Sequence, residues 1–453
     1  MKVKKGCVLL MLTLGLTFIG IDCKKDKPCT TCPPTIQNTV KLSLDYTECQ
    51  QVWLKLSFTD ANQPRSYALF RDDRQLLAGT LTATDTLLVD DSVVAGHDYI
   101  YTAQRLNGSN VIDASTALPI HTLDSTSHSI NWIVDTLGTQ GLIRDVWVFN
   151  RNNAWAVGGI YLNDSTGKPN EEYPYNAAHW DGSKWELMRI LFYTICGQQS
   201  RNAYEASSIF AFSETDIWIA LNGSQVARWN GNTQTSTMCL PVSFSINKLW
   251  GENPNSVYAV GYDGAYGIIL HYNGSSWTKM TSNTSVDLQD IWGNDGSHIW
   301  ATGTNVADGH CVVLQYNGTS WSTIYDNTTR PLNQIQYFKT VWTNNQNYIY
   351  LDGGSGLYKL TMNNSLGSQI STGLTYVVSS IRGIKQNDIF DVTTGGEVAH
   401  YNGSSWYSYL NIQALNKSGA WFTSVYPTSN FVLIGGWYLT TYNGAPIVIR
   451  GYK

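Results

Sequence analysis

One phrase recurs through the C-terminal two-thirds of this 453-residue chain, and no other feature restricts its fold as much. It reads apolar-Trp, a polar turn, apolar-aromatic-Ala-Val-Gly, a loop, then Tyr-Asn-Gly-Ser-Ser-Trp. The clearest copy starts at Leu249-Trp250-Gly251, passes Val257-Tyr258-Ala259-Val260-Gly261 and ends at His271-Tyr272-Asn273-Gly274-Ser275-Ser276-Trp277. A second runs from Ile291-Trp292-Gly293 through Ile299-Trp300-Ala301-Thr302-Gly303 to Tyr316-Asn317-Gly318-Thr319-Ser320-Trp321. The first element is anchored at Trp147, Phe210, Trp250, Trp292, Trp342, Arg382 and Tyr426. These anchors recur at roughly 40 to 50 residues, with a longer gap after Trp147, and a four-stranded repeat unit needs about 40 to 45.

Each copy decodes into four short strands, and seven anchors imply the seven blades of a β-propeller over residues 125–453. The fifth copy is the most eroded, around Tyr358-Lys359-Leu360-Thr361. Asn-Gly between the third and fourth strands has the composition of a two-residue hairpin turn with positive φ at both positions. The segment Ile447-Val448-Ile449-Arg450-Gly451-Tyr452 supplies a third strand to the last copy, with no fourth after it. Ser129-Ile130-Asn131-Trp132-Ile133-Val134-Asp135 reads as a fourth strand with no blade of its own. Pairing of these two segments would close the ring and cover its edges. The phrase resembles propeller repeats of bacterial exported proteins and, more loosely, the Asp-box repeats of sialidases. Asp181-Gly182-Ser183-Lys184-Trp185 comes nearest an Asp box, one residue short of its spacing.

Residues 1–22 carry Lys2, Lys4 and Lys5 before an apolar run from Val8 to Ile21, the pattern of an export signal. Cys23 and the polar Lys24-Lys25-Asp26-Lys27 follow. This resembles a bacterial lipoprotein signal, although Asp22 stands where that family has a small neutral residue. The resemblance implies acylation of Cys23, a tether over 23–36 and a lipid anchor in the cell envelope, at the outer membrane or cell surface. Export permits disulfides. Cys196 and Cys239 follow equivalent strands of neighbouring repeats and are a candidate pair, with connectivity left open. Cys29 and Cys32 have CxxC spacing but lie in a Pro-containing linker, where an incidental pair is expected.

Over residues 37–124, Val52, Leu54, Leu56 and Phe58 alternate as a half-buried strand does. Tyr67-Ala68-Leu69-Phe70-Arg71 runs into an Asp72-Asp73 turn, and Val93-Val94-Ala95-Gly96-His97-Asp98-Tyr99 leads into a further strand. This segment resembles a fibronectin type III domain. The resemblance implies a sandwich in which Tyr99 is the corner tyrosine, its hydroxyl bonded back to the backbone. Ala95 stands where the family usually has proline.

Only 14% of residues are charged, the formal net charge is -5 and no basic stripe appears, so no nucleic-acid partner is expected. No phosphate loop, Ser-His-Asp pattern or nucleotide fingerprint is visible, and no cofactor is expected. Asp308 and His310 are two potential metal ligands without a third, so no metal is expected. Function is expected on the irregular loops of a rigid scaffold. The candidate ligand-binding residues there are Tyr161, Glu171, Glu172, Tyr173, Tyr175, Arg201, Tyr204, Tyr262, Asp263, Tyr266, Trp437 and Tyr438. Aromatic rings beside carboxylates suit the CH faces and hydroxyls of sugars, and equally a protein hot spot. The expectation is a cell-surface recognition lipoprotein binding an extracellular polysaccharide or protein, with the N-terminal module as spacer from the membrane. A structural component of an envelope complex is the first alternative. A sialidase-like glycan hydrolase is the second, drawing on Arg144, Arg201, Arg330 and Tyr204-Glu205, but the surrounding motifs do not match that family.

Overall fold

The computed structural model describes residues 39–453 apart from 61–64, 330–337, 355, 362–365, 410–411, 413–418 and 440–443. The signal, the tether, Cys23, Cys29, Cys32 and Arg330 lie outside the described residues. What is described is all-β.

The N-terminal unit has two sheets. In one, Val52–Phe58 lies between Val40–Thr47 and Asp85–Asp90. In the other, Ser66–Arg71 lies between Arg74–Thr80 and Asp98–Asn107, and the latter also pairs with Asn110–Ala114 and Leu118–His121. The alternation at Val52, Leu54, Leu56 and Phe58 turns those side chains inward, and they share one core with Leu69, Tyr99 and Tyr101. Asp72 and Asp73 form the two-residue turn between Arg71 and Arg74 with φ of 48° and 65°, the left-handed pair that such a hairpin requires. The Tyr99 hydroxyl accepts a hydrogen bond from the Val94 amide at 3.0 Å.

From residue 140 onward, seven antiparallel sheets of three or four strands succeed one another among the described residues, with a two-stranded ribbon, Phe192–Tyr193 against Arg201–Asn202, between the first two. Their first strands are Gln140–Asn150, Ala206–Ser213, Ser245–Asn253, Leu288–Asp295, Phe338–Trp342, Val378–Lys385 and Ala420–Thr428. Five of these sheets have four strands in sequence order, and the seventh has four with one borrowed strand. The fifth, the eroded copy, shows three: Phe338–Trp342, Tyr348–Gly353 and Tyr358–Thr361. The seventh takes its fourth strand from far upstream: Asn131–Thr136 pairs with Gly444–Tyr452, from Asn131 opposite Tyr452 to Thr136 opposite Ile447. The first strand of each sheet packs on that of the next, and that of the seventh packs on that of the first. The repeated Trp residues fill the space between sheets, with Trp218, Trp300 and Trp342 fully buried.

The turn between third and fourth strands differs from the expected two-residue hairpin. Tyr272 is opposite Trp277, and Tyr316 is opposite Trp321, so four residues span each turn. Only the glycine is left-handed, with φ of 91° at Gly274 and 88° at Gly318. The Asn side chain does the rest: Asn273 Oδ1 accepts from the amides of Ser275 and Ser276 at 3.1 and 3.0 Å, and Asn402 does the same for Ser404 and Ser405. Asp181 takes this role in the first sheet, accepting from Ser183 and Lys184, and those donors hold its carboxyl down at about 2. The string nearest an Asp box is thus a copy of the same turn.

Cys196 and Cys239 are joined by a disulfide. It fastens the excursion after the first sheet to the end of Gln234–Cys239, the last strand of the second sheet. The bond closes a loop of sequence separation 43. Changing both cysteines to Ser should lower stability by about 2–4 kcal/mol, read as a lower urea midpoint at unchanged slope. An unchanged midpoint would mean the excursion is held equally well without the bond.

The N-terminal unit lies against the fifth and sixth sheets rather than standing clear as a spacer. Buried Glu48 takes the hydroxyl hydrogen of Tyr348 and faces Lys359 Nζ at 3.7 Å, while Lys359 lies over the Tyr348 ring at 4.0 Å. Trp53 joins Trp342 and Tyr348 in one apolar cluster. Asn387 Nδ2 donates to Asp124 O at 2.7 Å, and Thr126 Oγ1 donates to Asn387 O at 2.7 Å.

Candidate functional site: a polar cavity ringed by seven bulges

Each of the seven first strands slips register against its neighbour at the same place before its anchor, and five of them slip a second time after it. The residues skipped before the anchors are Arg144, Ser207, Asn247, Gln289, Lys339, Ser379 and Thr423. A bulge re-aims side chains and ends regular pairing. All seven of these residues line one cavity of about 170 Å³, together with the residues that follow several of them.

The following residues form a belt of hydrogen bonds from sheet to sheet. Asp145 Oδ2 accepts from Ser208 Oγ at 2.8 Å and Ile209 N at 3.0 Å. Ser208 Oγ in turn accepts from Leu249 N at 3.1 Å. Asp290 Oδ2 accepts from Thr340 Oγ1 and Val341 N at 2.7 and 3.0 Å, and Thr340 Oγ1 accepts from Ile381 N at 3.2 Å. Ser424 Oγ donates to Asp145 Oδ1 at 2.7 Å. Two ion pairs cross between sheets that are not neighbours. Lys248 of the third sheet reaches Asp145 of the first at 2.7 Å, and Arg382 of the sixth grips both oxygens of Asp290 of the fourth at 2.7 and 3.0 Å. Arg382 holds the anchor position that is aromatic in the other six sheets, and its guanidinium lies 4.7 Å from the Trp292 ring centre. Burial favours the neutral form of Asp290, but Arg382 and Lys248 together hold its carboxyl below the ordinary range.

Lys339 is the exception in this belt. It is half-buried and has no ion-pair partner among the described residues, and the internal segments outside them contain no Asp or Glu. Burial pushes its ammonium below the ordinary value; Asp290 pulls it back, and nearby Arg144 adds to the lowering. Arg144 itself pairs with Glu205.

The loop residues singled out from the sequence lie elsewhere, and the cavity lining includes none of the twelve. Tyr161 stands beside Glu205 and Glu171, and burial, then those two charges, raise its hydroxyl. Glu171, Glu172 and Tyr173 are exposed, and Tyr175 is covered by Arg189 at 3.8 Å. Arg201 stacks on Tyr193 at 4.2 Å, and the Tyr204 hydroxyl donates to Thr194 at 3.0 Å. Glu205 is engaged by Arg144, so the Tyr204-Glu205 arrangement of a sialidase-like site is not assembled. Tyr262 and Asp263 line a groove with Asn247 and Asp287; Asp263 caps its own loop by accepting from Ala265 and Tyr266. Tyr266 is 60% exposed over a separate groove. Trp437 faces Trp421 with ring centres 5.3 Å apart, and Tyr438 packs into the last sheet's core. Asp308 caps its turn and His310 pairs with Asp326 at 3.2 Å. Among the described residues no group of three or more His, Cys, Asp or Glu stands together to hold a metal.

Sequence reasoning named Arg144 among the cavity residues and overlooked the others. A polar residue two or three places before each anchor was the available signal, since Asp145, Ser208, Lys248, Asp290, Thr340, Ser380 and Ser424 all stand two before theirs.

No protein-family model matches the chain, and no curated protein matches it. Solved structures do resemble it. One described as YCF48 bound to D1 peptide has 13% sequence identity, covers 73% of this chain and 99% of its own, and gives a TM-score of 0.51. YCF48 from Cyanidioschyzon merolae has 12% identity, covers 71% of this chain and 98% of its own, with a TM-score of 0.50. The WD40 β-propeller domain of Doa1 has 12% identity, with coverage of 70% and 95% and a TM-score of 0.46. At such identities the likeness is one of fold alone, and that fold is the β-propeller.

Proposed function

We propose that the seven sheets are the blades of one propeller, closed by the strand Asn131–Thr136, and that this ring is a recognition module taking an extended segment of polypeptide at its axial cavity. The cavity carries the reading. Seven equivalent bulges present seven side chains of mixed size and charge, whereas a purely structural plug gains more from apolar packing than from buried ion pairs. A protein of the same fold is described as bound to a peptide, which supports this class of ligand. The N-terminal unit is a fibronectin III-like module that braces the fifth and sixth blades. Export and anchoring at Cys23 rest on the lysines, apolar run and polar tether of residues 2–27.

Selection of a displayed random-peptide library on the full chain tests this. Peptides that bind saturably should emerge, and Gln289→Trp, which places a large ring in the cavity lining, should weaken them at least tenfold. Selection of nothing above background from folded protein overturns the reading. A second reading has one observation in its favour: Trp421, 45% exposed, stands beside Trp437 and suits a sugar ring. Ligands indifferent to Gln289→Trp but lost in Trp421→Ala would favour it.

A further inference from the structure

The cavity's charges do not cancel. Its lining holds four cations, Arg144, Lys248, Lys339 and Arg382, against two carboxylates, Asp145 and Asp290. The carboxylates are consumed by Lys248 and Arg382, and Glu205 at the rim is consumed by Arg144. One positive charge, Lys339, is left over. A surplus of one suits a monoanion better than a doubly charged group.

A second observation, independent of charge, comes from the next bulge. Ser379 lines the same cavity at 8% exposure, and its hydroxyl is buried without a hydrogen-bond partner. A buried hydroxyl left unpaired costs about 1–3 kcal/mol, so it is normally satisfied by something. Its neighbours are satisfied: Ser207 donates to Leu221 O, and Thr423 donates to Ile143 O and Gly435 O. Lys339 and Ser379 are equivalent bulge residues of adjacent sheets, and Arg144 is close enough to influence Lys339. An unpaired ammonium and an unpaired hydroxyl, beside a guanidinium already held by Glu205, form the donor set of a carboxylate receptor.

We infer that the cavity holds a carboxylate of the bound polypeptide, against Lys339 Nζ and Ser379 Oγ, with Arg144 at the rim. This rests on the peptide reading above. The carboxylate comes from an acidic side chain or a chain terminus, and the two sources share the chemistry. Lys339 fixes sign, Ser379 adds a donor that has no other partner, and the small volume admits one such group rather than a folded surface.

The test uses the full chain and calorimetric titration at low salt with four Gly/Ser hexapeptides. One carries an internal Glu and an amidated end, one a free C-terminal carboxylate and no acid, one both, and one neither. Inorganic phosphate and hyaluronate oligosaccharide are titrated alongside. An acid-bearing peptide should bind at least tenfold tighter than the neutral one. The advantage should vanish in Lys339→Met, fall severalfold in Ser379→Ala and survive in Lys339→Arg. The first two peptides report which carboxylate source is used. Equal binding of charged and neutral peptides overturns the carboxylate assignment and leaves the peptide reading standing. Phosphate or hyaluronate binding that depends on Lys339, with no peptide binding, overturns both, as does binding of nothing. Lys339→Met that unfolds is replaced by Ser379→Ala and Lys339→Arg, whose pattern decides alone.

Discussion

Changing Asp391 to Asn should stabilise the protein by on the order of 3 kcal/mol at pH 8 and leave it nearly unchanged at pH 4. Asp352 and Asp391 lie on the second strands of the fifth and sixth sheets, each 0% exposed. Asp352 Oδ1 accepts from the Gly353 amide, while its other oxygen and both oxygens of Asp391 lack any other partner, so the two carboxyls have chiefly each other. Burial raises both, Asp352 to about 7 and Asp391 well above the ordinary range, the latter raised further by its neighbour. Between an ordinary carboxyl pKa near 4 and the raised values, the unfolded chain has lost protons that the folded chain keeps. Stability must therefore fall as pH rises through that window. The side-chain amide introduced by Asp391→Asn can still donate to Asp352 and needs no proton. The check is a pair of denaturation curves at pH 4 and pH 8 for wild type and variant. Equal effects at both pH values would show that the two carboxyls do not share a proton.

Asp290→Ala should be the most damaging single change in the belt, at about 3–5 kcal/mol, because it strands the buried guanidinium of Arg382. It also removes the acceptor of Thr340 Oγ1 and Val341 N. The double variant Asp290→Ser with Arg382→Trp writes into this pair the small hydroxyl that four other sheets carry at the first position and the aromatic anchor that the other six carry at the second. It should recover most of the loss. A double-mutant cycle measured by chemical denaturation gives the coupling. Additive losses would mean that Arg382 is held instead by the bonds its guanidinium donates to the Val341 and Ile381 carbonyls, at 3.2 and 2.7 Å, and by the Trp292 ring.

The propeller was legible because its repeat is written in backbone terms: Trp anchors, a second strand ending in Gly, an Asn-Gly turn. Those requirements recur wherever a sheet packs on a sheet. The pairing of Asn131–Thr136 with Gly444–Tyr452 followed from a strand missing in one place and spare in another. The turn geometry was misread because composition does not distinguish a residue with positive φ from one whose side chain caps the amides ahead. The cavity was illegible for a related reason. Bulges shift a residue from one face to the other without changing its type, and Lys339 or Ser379 looks like any polar residue before a strand. Aromatic loop residues drew attention instead, yet several, such as Tyr175 and Tyr204, are spent on local contacts. Asp352 and Asp391 were open to view: the other sheets carry mostly apolar residues there, Val260 and Ala259 in the third.

The pairing of Asn131–Thr136 with Gly444–Tyr452 also sets an order in time. During synthesis residue 131 emerges long before residue 452, so the upstream strand must wait, unpaired, for its partner. Six sheets can complete themselves from consecutive chain, each at small closing cost, while the seventh carries the whole delay. A nascent chain released before that point would expose two open edges at once and be prone to degradation or aggregation. Completion of the seventh sheet therefore reports that synthesis has passed the downstream strand.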